Sequence, residues 1–89
     1  MNEFQYEQDM TLGSANVDKG ESCERAKDFK SARFYFKYAL KVFTKVQTEI
    51  FGDEQLQKLD SGAAGEKIVY CGKKLRNLPE NIEENSLER

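Results

Sequence analysis

Apolar residues recur through the middle of the chain at alternating intervals of three and four. Phe29, Ala32, Phe36, Ala39, Phe43, Val46 and Ile50 are spaced 3, 4, 3, 4, 3 and 4, which stacks seven side chains into one stripe of an α-helix. Asp28 stands where an N-cap is needed, and Phe51-Gly52 supplies a C-terminal stop. The pattern predicts a helix over 28–51. Tyr35, Leu40 and Val42 widen its apolar face, so this helix is expected to touch two neighbours, as in a bundle.

Downstream, Asp53 is placed to cap a further helix, with Glu54 in its first turn. Leu56 and Leu59 open the apolar face, and Ala64, Ile68, Cys71, Leu75 and Leu78 continue it at spacings of 4, 3, 4 and 3. Leu78-Pro79 ends it, because a residue before proline disfavours the α region. Between the two apolar sets lies Ser61-Gly62-Ala63-Ala64-Gly65, whose glycines each cost about 1 kcal/mol of helix propensity. They either permit a close helix crossing or break the helix; the reading adopted is one continuous helix over 53–78.

Upstream, Met10, Gly13, Val17 and Gly20, extended by Cys23 and Ala26, predict a first helix over about 8–25. Its glycines suit the close approach of a neighbour's aromatic rings. Residues 1–7, with Phe4 and Tyr6, are expected to form an N-terminal extension or a staple onto the bundle, and 79–89 an acidic tail or the start of a linker. The expected fold is all-α: a three-helix antiparallel bundle over 8–78. No repeat of twenty or more residues points to a solenoid.

An 89-residue chain, 38% hydrophobic and 34% charged, fits one small globular domain. No run approaches the roughly 18 apolar residues of a membrane span. The first residues carry no basic and apolar pair of regions, so no secretory signal is read. Cys23 and Cys71 then point to a reducing, cytoplasmic setting and to small buried hydrophobes rather than a disulfide framework. The chain has no histidine, which removes Ser-His and Cys-His nucleophile pairs, Cys/His zinc sites and any histidine base. The expectation is a non-enzymatic binding or scaffolding module with no catalytic, cofactor or metal site. Gly62 and Gly65 lack a following Lys-Ser/Thr and match no phosphate-binding loop.

The net charge of −2 conceals segregation. Residues 1–24 carry six acidic residues against Lys19, a net −5; residues 25–50 carry seven basic residues against Asp28 and Glu49, a net +5. Residues 51–79 come to +1 and 80–89 to −3. A basic middle between acidic ends implies internal pairing or an acidic partner, and not bulk nucleic-acid binding. Lys30, Lys37, Lys41 and Lys45, with Arg33 or Phe34, form a nearly continuous basic stripe on the second helix. It reads as a solvated face or as a surface for an acidic peptide or anionic lipid.

The segment Ala26-Lys27-Asp28-Phe29-Lys30-Ser31-Ala32 and then Tyr35-Phe36-Lys37-Tyr38-Ala39-Leu40 resembles the second helix of MIT (microtubule-interacting and trafficking) domains. Val17-Asp18-Lys19-Gly20 looks like the end of their first helix, and Ile68-Val69-Tyr70-Cys71-Gly72-Lys73-Lys74-Leu75 like their third. The resemblance covers roughly 10–78 as a pattern of low identity. TPR hairpins share the same small-and-aromatic grammar, but a single TPR of about 34 residues leaves the third helix unexplained.

The resemblance implies a protein–protein interaction module that recruits a larger protein to ESCRT-III or related membrane-remodelling proteins, in endosomal sorting and membrane trafficking. It would do so by binding short C-terminal motifs, either as a helix between the second and third helices or as an extended strand between the first and third. Carried over residue by residue, Val69 matches the position that seats ligand leucines, with Tyr70 beside it. Leu40 and Thr44 flank the same groove, and Val17 belongs to the other. Lys73 stands where the family often has an acidic residue that pairs with a basic ligand. That departure favours a ligand with acidic residues, or the groove of the first and third helices. Leu40 and Val69 fit either the core edge or a groove floor. The competing expectations are a TPR-like assembly module on a fixed partner and a basic-face module on acidic lipid.

Overall fold

The computed structural model describes residues 1–79, and these are all-helical: α1 (Glu3–Arg25), α2 (Phe29–Ile50), α3 (Glu54–Asp60) and α4 (Ala63–Asn77). The expected acidic tail lies outside the described residues apart from Pro79. Helix α2 forms where its stripe and caps predict. The Asp28 side chain accepts the Ser31 N–H at 3.2 Å. Beyond Phe51, Gly52 adopts φ +85°, a left-handed conformation that glycine reaches without steric cost. Asp53 likewise caps α3, accepting the Leu56 N–H at 3.1 Å.

Two boundaries differ from the sequence reading. Four helices stand in place of three, because the expected 53–78 helix breaks at Ser61-Gly62, both left-handed with φ of 50° and 82°. Asp60 stabilises the break: its buried carboxyl group accepts the Ala64 N–H at 3.1 Å, satisfying a donor in the first turn of α4. The shortened α3 buries Leu56 and leaves Leu59 exposed.

The second difference is the start of α1, at Glu3 rather than about residue 8. Asn2 and Gln5 form a capping box, Asn2 Oδ1 accepting the Gln5 N–H at 2.8 Å and Gln5 Oε1 the Asn2 N–H at 3.1 Å. Tyr6 is thereby placed in the core, its hydroxyl donating to Asp60 at 2.6 Å. It acts as the staple, not as an extension.

Helix α2 lies at the centre, with α1 and α4 both packed on it. Its stripe is buried from Ala32 to Ile50, with Phe36 and Phe43 fully enclosed. Phe43 faces Gly13 and Phe36 faces Gly20 on α1, so glycine lets the helix backbones meet across aromatic rings. Val17, Cys71 and Leu78 complete this cluster; Tyr6, Val46, Ile50, Leu56 and Ala64 form a second. Leu78 is extended at ψ 140° before Pro79, whose carbonyl accepts a bond from Arg33 Nη2 at 2.6 Å.

The acidic first helix and basic remainder pair internally. Asp9 meets Lys45 at 3.3 Å and Glu24 meets Lys74 at 2.8 Å, while the Tyr70 hydroxyl donates to Glu21. Four groups hold their protons more tightly here than is ordinary. Burial and then the Asp60 bond raise Tyr6; the Glu21 bond and then burial raise Tyr70; burial raises the Cys71 thiol; the bond to Glu24 raises Lys74. A raised folded value adds stability that is fully present below the unfolded value and lost as pH climbs through the folded one. Stability is therefore expected to hold to about pH 9 and decline above it, read as urea midpoints from about pH 8 to about pH 11. A midpoint that rises over that span overturns this.

Candidate functional site

A helix in the centre of three packed neighbours still has one face to spare, and on α2 that face is apolar as well as basic. Phe34, Lys37, Tyr38, Leu40, Lys41 and Thr44 line a shallow groove along it. Spacings of three and four from 34 to 44 set these residues on adjacent ridges of the helix. Phe34 is 63% exposed and Tyr38 41%; Leu40 is half-buried and packs its inner side against the core. The Phe34 ring rests edge-on against Tyr35 at 5.3 Å between centroids, and Lys19 of α1 lies 5.7 Å over the Tyr35 ring. This stacking holds Phe34 in an outward position.

The charges around the groove are unbalanced. Helix α2 carries Lys30, Arg33, Lys37, Lys41 and Lys45 against Glu49 alone. Lys45 is paired with Asp9, and Arg33 is committed to the Pro79 carbonyl. Among the described residues, Lys30, Lys37 and Lys41 have no carboxylate within salt-bridge distance.

A second concavity lies between α1 and α4, lined by Val17, Asp18, Glu21, Glu66, Lys67 and Tyr70. It sets three carboxylates against Lys67 and is bridged by the Tyr70–Glu21 and Lys74–Glu24 bonds. Lys74 also sits 5.7 Å from the Tyr70 ring and 6.0 Å from the Phe36 ring, so it contributes to the seam in three ways. A third, on α1, is lined by Phe4, Glu7, Gln8, Thr11, Leu12 and Ala15.

The six sequence-derived binding residues are thus divided. Leu40 and Thr44 lie together in the α2 groove. Val17 and Tyr70 lie together at the α1–α4 cleft, where Val17 is 7% exposed and belongs mainly to the core. Val69, 59% exposed, and Lys73, also exposed, stand on the surface of α4 and line neither concavity. The sequence reading gave Tyr38 no binding role and gave Phe34 only as an alternative to Arg33. Both fall well off the core stripe, so a helical wheel of 28–51 shows two large aromatics among lysines.

No family model, curated protein or solved structure matches the chain. What it can bind is therefore to be read from its own surfaces. Among the described residues, no helix is long and apolar enough to cross a membrane.

Proposed function

We propose that the chain is a non-catalytic peptide-binding adaptor of the MIT type. Helices α1, α2 and α4 serve as the three helices of that bundle, and α3 as a lead-in to the last. The module recruits its parent protein to ESCRT-III or related membrane-remodelling proteins by seating a short C-terminal motif. The reading is supported above all by the α2 groove, where Leu40 and Thr44 border apolar surface that no other part of the described chain covers. The α1–α4 cleft is the lesser candidate, because a ligand there has to break the two bonds that bridge it. A short segment ordering on a small groove binds at micromolar affinity or weaker.

Titration of the isotope-labelled domain with a panel of ESCRT-III C-terminal peptides tests this. Amide shifts concentrated at Leu40, Thr44 and the other residues lining the α2 groove are the expected result. Shifts centred on Val17 and Tyr70 move the ligand to the α1–α4 cleft. Silence with every peptide at millimolar concentration removes the ESCRT-III reading.

A further inference from the structure

We infer that the outward face of α2 docks an acidic amphipathic helix of a partner protein, an inference that rests on the peptide-binding reading and specifies its ligand. Three observations converge on that chemistry. The groove floor and walls are apolar or aromatic at Phe34, Tyr38 and Leu40, so the ligand brings apolar side chains. Lys37 and Lys41 line the same groove one turn apart, where like charges repel until a partner neutralises them. Internal pairing accounts for Lys45 and a carbonyl for Arg33, leaving Lys30, Lys37 and Lys41 without a carboxylate among the described residues. The ligand is accordingly acidic along its flanks.

The backbone decides between a strand and a helix. The peptide groups of α2 are bonded within the helix from Phe29 to Ile50 and offer nothing to a strand's main chain. An extended ligand would leave its own N–H and C=O groups unpaired along apolar side chains, whereas a helix satisfies its own. From Phe34 to Thr44 the groove spans eleven residues of α2, about 15 Å end to end, the length of roughly three turns of a docked helix. A membrane surface is the less favoured occupant, because Leu40 is half-buried and leaves only Phe34 and Tyr38 as large exposed apolar groups to insert.

The test uses the whole chain and two synthetic peptides of about four turns. Each has leucines at intervals of three and four; one carries glutamates on both flanks and its twin carries lysines. The acidic peptide is expected to shift the amides of Phe34, Tyr38, Leu40 and Thr44, and to bind more weakly as salt rises. The double variant Lys37→Glu/Lys41→Glu is expected to weaken it about tenfold or more and to favour the lysine twin instead. Both lysines are exposed and unpaired among the described residues, so the variant's melting curve is expected to match that of the parent chain. Equal binding of both peptides overturns the inference, as do shifts confined to the α1–α4 cleft. So does silence with both peptides while phosphatidylserine vesicles bind. An ESCRT-III peptide that binds elsewhere in any of those cases leaves the adaptor reading standing; no binding by any peptide removes both.

Discussion

Replacing Asp60 with alanine is expected to lower stability by about 2–4 kcal/mol, because two buried donors lose the one side chain that accepts from both. The Asp60 side chain is buried and accepts the Tyr6 hydroxyl at 2.6 Å and the Ala64 N–H at 3.1 Å. Truncation leaves a phenolic O–H in the core without an acceptor and an unsatisfied donor in the first turn of α4. It also releases the turn at Ser61-Gly62, whose two left-handed residues are held between α3 and that bond. Tyr6→Phe is the milder probe: the ring keeps its place and only the hydroxyl goes, at about 1–2 kcal/mol. In the double variant the two costs are expected to fall well short of their sum, since removing either partner already breaks the bond. Urea denaturation of the four proteins measures this directly. Additive costs, or an Asp60→Ala variant as stable as the parent, would show that the bond does not tie α1 to the α3–α4 corner.

That bond also marks the limit of what the sequence could say. Helix α2 was legible because every signal for it is local: Asp28 in front, a stripe at intervals of three and four, Gly52 behind. Tyr6 and Asp60 lie 54 positions apart, and no periodicity connects them. The early start of α1 was written in Asn2 and Gln5, a capping pair three residues apart. The apolar signal behind it is diluted, which hides that start: Phe4 and Leu12 face out while Tyr6 and Met10 face in. The break at 61–62 needed a serine in the left-handed region, which few non-glycine residues adopt and propensity does not foresee. At the candidate site, the resemblance to MIT domains named Leu40 and Thr44, which line the α2 groove. It also named Val69 and Lys73, which the fold leaves outside that groove, and gave Tyr38 no binding role although Tyr38 lies in the segment that carries the resemblance.

Alanine at Gly13 is expected to destabilise the domain by about 1–2 kcal/mol, against the direction that helix propensity dictates. Alanine is favoured over glycine inside a helix by about 1 kcal/mol, and Gly13 lies within α1. A Cβ there would stand 2.5 Å from Cζ of Phe43 and 2.6 Å from Cε1, far inside contact distance. The Phe43 ring is fully buried among packed neighbours, so it cannot swing aside, and α1 must move away from α2 along the seam. Overpacking of this kind costs about 1–3 kcal/mol, and separating the seam loses dispersion contacts as well. Gly20, with Phe36 at 2.9 Å, is expected to behave alike. Gly65 supplies the opposite sign: inside α4, its added Cβ would meet only the Gln47 side-chain amide, at 3.4 Å. Gly65→Ala is therefore expected to stabilise by about 0.5–1 kcal/mol. Phe43→Leu, costly alone, is expected to relieve much of the Gly13→Ala penalty when the two are combined, because the ring atoms that clash are gone. Thermal and urea melts of this set decide the point. If Gly13→Ala and Gly65→Ala both raise the melting temperature, propensity alone governs these positions and the glycine–aromatic seam does not hold α1 against α2.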